Sequence, residues 1–191
     1  MYFNKYYLDC FFKNNLSLLS LSIFFASFSI LYLIGGGPVT NDELKYLSIS
    51  IDTTPEPRIL NRYFHIYLQK LFLYLGNDPF IGMQLLWAFT ISLTTALIFH
   101  SSIILSGSKH VVFGLISLLF FITQPLIFRF VGVTYADYTV MLLLTLSFAI
   151  YISTDFSSFK KKCRLSLILG LLCIFSIKSK ETGIISFVFL L

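Results

Sequence analysis

The chain has 191 residues, 57% apolar and 12% charged, with a mean hydropathy of +0.83 and a formal net charge of +5. A soluble domain carries about 25% charged residues, so a water-exposed surface of this size is excluded. At about 20 residues per crossing, the length allows about five to six membrane spans and no second, soluble domain. The 22 Phe and 11 Tyr residues suit wide interfacial belts. The small cationic excess is concentrated in one short loop and does not indicate nucleic acid.

The first apolar run, Leu16 to Ile34, has 19 residues and no charge. It is longer than a signal-peptide core of about 7–15 residues, and Gly35-Gly36-Gly37-Pro38 offers no small-x-small cleavage site. A retained helix that Gly and Pro then stop is expected. Residues 38–79 form the longest polar stretch, with five acids (Asp42, Glu43, Asp52, Glu56, Asp78) and four bases (Lys45, Arg58, Arg62, Lys70). With the glycines before it, this stretch makes a first outer loop over 35–79.

Within that loop the spacing predicts an amphipathic helix over 60–75. At about 100° per residue, Leu60, Tyr63, Phe64, Tyr67, Leu68, Leu71, Tyr74 and Leu75 fall within an arc of about 140°. Asn61, Arg62, His65 and Gln69 lie opposite. Such a helix would lie in the headgroup plane, its tyrosine face in lipid or against the bundle, with Arg62 and His65 toward water.

Further apolar runs follow at Phe80–Leu105, Val111–Phe128, Tyr138–Ile152 and Leu165–Ile177, and a sixth opens at Gly183. The nine residues from Gly183 to Leu191 reach only about 14 Å of a hydrocarbon core about 30 Å thick. The 191 residues are therefore expected to form a single transmembrane domain that is the front portion of a longer module. The fold class expected is all-α, a polytopic bundle with interfacial helices in the first outer loop.

Lys160-Lys161-Lys162-Cys163-Arg164 is the densest basic tract and marks a cytoplasmic loop. Six alternating spans then place the N-terminus and Lys109 inside and the loop 38–79 outside. Lysines and arginines number seven on each side. The orientation rests instead on the scarcity of inner acids, Asp9 and Asp155. Cys10, Cys163 and Cys173 form no CxxC pair and read as small buried or interfacial residues.

Charges at membrane depth are costly and tend to mark sites. Four places qualify, all on the outer side: Asp42-Glu43, Arg129, Asp137, and Lys178/Lys180/Glu181. Each also has a plain structural reading. Thr40-Asn41-Asp42-Glu43 fits a capping box, which accounts for Glu43 without chemistry. Arg129 and Asp137 fit an interfacial ion pair, and Lys178 fits a snorkelling end residue. His65 has no second His or Cys at metal spacing.

Together these residues resemble the GT-C superfamily of integral-membrane glycosyltransferases, in the branch of protein O-mannosyltransferases and lipid A aminoarabinose transferases. Asp42-Glu43 stands eight residues after the first span. The helix 60–75 follows it, Ala136-Asp137 opens the fourth span, and Lys180-Glu181-Thr182 precedes the sixth. The order matches the family over nearly the whole chain, which corresponds to the N-terminal part of a typical member. Pro55-Glu56-Pro57-Arg58 stands where many relatives have Lys-Pro-Pro or His-Pro-Pro, so donor contacts there do not carry over.

The resemblance implies inverting transfer of a sugar from a polyprenyl-phosphate donor to a lipid, glycan or protein acceptor on the outer face. It assigns Asp42 as the base, and Asp137 with Glu43 to the acceptor or to a divalent cation. Lys180, helped by Arg62 or Arg129, would hold the lipid phosphate, and membrane lipids surround the site. The residue types suit the task, since inversion needs a carboxylate to take the acceptor's proton and cations to stabilise the departing phosphate. The compact, loop-poor chain points to a bacterial plasma membrane. The competing class is a non-enzymatic membrane protein, a transporter subunit or assembly factor, or an inactive truncated GT-C copy. A transporter more typically carries ionisable groups or helix breaks near mid-membrane, whereas these span centres are free of acidic and basic residues.

Overall fold

The computed structural model describes residues 5–34, 51, 62–107, 111–124, 136–154, 157–180 and 183, and the side chains of 5–14 are not among what it describes. Among the described residues there are six helices: α1 (Lys5–Ile34), α2 (Tyr63–Gly76), α3 (Pro79–Leu105), α4 (Val111–Ile122), α5 (Ala136–Ser153) and α6 (Phe159–Ser179). Among the described residues there is no strand. Three segments are long and apolar enough to cross a membrane: Asn15–Ile34 within α1, all of α3, and all of α5. The described residues are thus all-helical, with three helices of membrane-crossing length and composition. Helix α4 is apolar but has 12 residues, and α6 has 21 with a basic beginning. The predicted run to Phe128 extends past α4 into residues 125–128, which lie outside the described ones, as does nearly all of the sixth run.

Helix α3 is the hub, with α1, α2, α4 and α5 packed around it. Leu86, Trp87, Ala88, Ile91 and Phe99 are buried along it. Trp87, Ala88 and Ile91 form a core with Tyr138 of α5, against which Phe28, Leu31 and Tyr32 of α1 pack. A helix enclosed this way has no water for its hydroxyls, so they bond back to its own carbonyls. Thr90 Oγ1 donates to the Leu86 carbonyl at 2.9 Å, Thr94 to Thr90 at 2.7 Å, and Thr95 to Ile91 at 2.8 Å. The Gln84 side chain of α3 donates to the Tyr32 carbonyl in the last turn of α1, one of the acceptors that a helix end leaves without an intrahelical donor.

Helices α2 and α3 are joined by Asn77 and Asp78 alone. Asn77 caps α2 in the left-handed region at φ 53°, which Asn tolerates better than most residues. Asp78 caps α3, its Oδ1 accepting from the amides of Phe80 (2.9 Å) and Ile81 (3.1 Å). So tight a turn forces the two backbones together, and glycines occupy the crossing. A Cβ on Gly82 would stand 2.7 Å from Leu73 Cα.

The orientation of α2 corrects one expectation. Arg62 and His65 do not form a water-facing side. His65 and Gln69 are 0% exposed, while Tyr67 and Tyr74 on the opposite side are 66% and 82% exposed. The tyrosine and leucine face of α2 turns outward and the polar stripe turns in. The helix itself falls close to the predicted range, 63–76 against 60–75.

Candidate functional site

The first turn of α5, the last turn of α6 and the opening turns of α2 converge at one end of the bundle. Three contacts hold them together. Phe64 of α2 stacks on Phe175 of α6 with ring centroids 4.7 Å apart. His65 Nδ1 lies 2.8 Å from Thr139 Oγ1 of α5. Lys180, which caps α6, places its Nζ 2.5 Å from Asp137 Oδ2.

Each position has a local cause. Asp137 occupies the first turn of α5, where the helix dipole favours a carboxylate. Lys180 leaves α6 in an extended conformation (φ −163°, ψ 153°), and its amide still donates to the Ser176 carbonyl at 3.2 Å. The Gly183 amide donates to the Lys180 carbonyl at 2.8 Å. A Cβ at Gly183 would collide with the Ser176 carbonyl. The Ser176 hydroxyl, buried one turn before Lys180, has no hydrogen-bond partner.

His65 is the buried titratable group of this end. Burial is the main cause that lowers its pKa from 6.5 to about 4. The Arg62 guanidinium, one turn earlier on the same helix, lowers it further, and the Asp137 carboxylate opposes both. The imidazole is therefore neutral at physiological pH. Arg62 and Lys180 as cations, Asp137 as an anion and His65 as a neutral ring leave one net positive charge. Such an arrangement can bind an anion through Lys180 and Arg62.

Of the predicted site residues, Asp137 and Lys180 are brought into contact, and Arg62 lies near enough to His65 to act on the same imidazole as Asp137. Asp137 is paired with Lys180. The expected pairing of Asp137 with Arg129 involves a residue outside the described ones, as do Asp42, Glu43, the capping box from Thr40, and Glu181-Thr182. Among the described residues no group of three His, Cys, Asp or Glu side chains is placed to hold a metal ion.

Two participants were missed, His65 and Thr139. A signal for His65 was present: Arg62, His65 and Gln69 repeat at i, i+3 and i+7, one polar stripe on a helix otherwise rich in Tyr, Leu and Phe. Thr139 carries no sequence signal of its own beyond standing two residues after Asp137.

No family model matches the chain, and no curated protein or solved structure matches it.

Proposed function

We propose that this chain belongs to a membrane glycosyltransferase that moves a sugar from a polyprenyl-phosphate donor to a lipid, glycan or protein acceptor at the outer face, with inversion. The observation that carries this reading is the convergence of Arg62, Asp137 and Lys180. Asp137 and Lys180 pair where α5 begins and α6 ends, Arg62 opens α2, and His65 between them feels the charge of both Arg62 and Asp137, while the tyrosine side of α2 is exposed. A site at a bundle end with one net positive charge suits an anionic headgroup whose hydrocarbon tail stays in the bilayer.

In this reading Lys180 and Arg62 hold the lipid phosphate, with Arg129 assisting, and offset the charge that develops as the sugar departs. Asp42 takes the acceptor proton, and Asp137 and Glu43 orient the acceptor. The bundle has about five to six spans, with the N-terminus and Lys160–Arg164 inside. The site faces outward from a bacterial plasma membrane. The outward tyrosines Tyr63, Tyr67 and Tyr74 line the path by which an isoprenoid tail approaches.

The test is transfer by the full chain in vesicles supplied with polyprenyl-phosphate-linked sugars. Asp42→Asn should abolish transfer while insertion and expression stay intact. Near-normal turnover in that variant would overturn the assignment. Failure of the wild type to bind a polyprenyl monophosphate would favour the non-enzymatic class.

A further inference from the structure

Resting on the reading that this end of the bundle takes a lipid phosphate, we propose that His65 is a positioning residue: by its hydrogen bond to Thr139 it locks α2 onto α5 and so sets Arg62 against the Asp137–Lys180 pair.

The geometry supports this in three ways. His65 is fully buried, and its Nδ1 lies 2.8 Å from Thr139 Oγ1, although the two residues are 74 positions apart. Thr139 sits two residues after Asp137 in the opening turns of α5, so any sliding of α2 along α5 moves Arg62 relative to the carboxylate. The neighbouring residue Phe64 stacks on Phe175 of α6, the helix that ends in Lys180. The two contacts constrain α2 against both helices that supply charge. The two-residue turn and the glycine crossing already fix α2 against α3, so the polar tie sets only the small offset of its first turn from α5, a displacement that the aromatic stack by itself tolerates. A hydrogen bond in a dry interface does not tolerate it.

A positioning role makes a distinctive thermodynamic prediction. If His65 acts through Thr139, removing either side chain removes the same effect, and removing both costs nothing more. The probe is a long-chain polyprenyl monophosphate titrated onto the full chain in lipid nanodiscs, with the uncharged polyprenol as control. His65→Leu and Thr139→Val should each weaken binding of the phosphate by about tenfold, and the double variant should lose no further affinity. Partitioning of the polyprenol should not change. His65→Asn, which returns a polar atom near the Nδ1 position, should recover affinity to within about threefold of wild type.

Wild-type affinity in His65→Leu overturns the proposal, as do additive losses in the double variant. Lys180→Ala separates the two levels. If it loses phosphate binding while His65→Leu keeps it, only the positioning role fails. If Lys180→Ala binds the phosphate as wild type does, the lipid-phosphate reading fails and this inference fails with it.

Discussion

Lys180 Nζ and Asp137 Oδ2 meet at 2.5 Å across 43 positions of chain, joining the end of α6 to the beginning of α5. Their side chains are 26% and 52% exposed. A pair this open to solvent contributes below about 1 kcal/mol to folding. Its consequence lies in charge: the carboxylate occupies the ammonium that an incoming phosphate would need.

Asp137→Asn is therefore expected to tighten binding of a polyprenyl monophosphate by about three- to tenfold, while Lys180→Ala weakens it by about tenfold. Both variants should unfold within a few degrees of wild type in detergent. Titration calorimetry beside a thermal melt checks this, and weaker phosphate binding in Asp137→Asn would contradict it.

Stability should depend on pH through His65. Its pKa is about 4 in the folded protein against 6.5 when unfolded. Between those values the unfolded chain binds the extra proton, so stability falls as pH falls from about 6.5 toward 4. At about 1.4 kcal/mol per pH unit, the full loss is about 3 kcal/mol. The unfolding midpoint at pH 5 should lie below that at pH 7, and the part of this difference due to His65 should vanish in His65→Asn.

The crossing of α2 and α3 should not accept a methyl group. A Cβ on Gly82 would meet Leu73 Cα at 2.7 Å and the Phe72 carbonyl at 2.8 Å, and one on Gly76 would meet the Gly82 amide nitrogen at 2.6 Å. These neighbours are backbone and cannot swing aside. Gly82→Ala is expected to cost about 1–3 kcal/mol despite the better helix propensity of Ala, read as a lower melting temperature.

Cysteine labelling tests the orientation. Cys163 is exposed in the basic first turns of α6, and Cys173 is buried. A membrane-impermeant maleimide should label Cys163 in inside-out vesicles and not in right-side-out ones, with Cys10→Ser as background. Labelling of Cys163 from the outer side would reverse the topology and place the Asp137–Lys180 end inside.

The helices and the membrane class were legible in the sequence, because apolar length and the absence of charge are local quantities. The runs from Leu16, Phe80 and Tyr138 coincide with the three helices that can span a bilayer. Asp137, Lys180 and Arg62 were also legible as candidates, since charge beside an apolar run stands out without knowledge of neighbours. Only the tertiary structure decided which face of α2 turns inward and which partner Asp137 takes. The periodicity of 60–75 separates a polar stripe from an apolar one, but it does not say which medium each side meets. Packing on α3 and α6, with the His65–Thr139 contact to α5, surrounds the polar stripe with protein and leaves the tyrosines outward. The Lys180–Asp137 pair likewise depends on where α6 ends beside α5, a distance that follows from the packing of the two helices and not from the order of their residues.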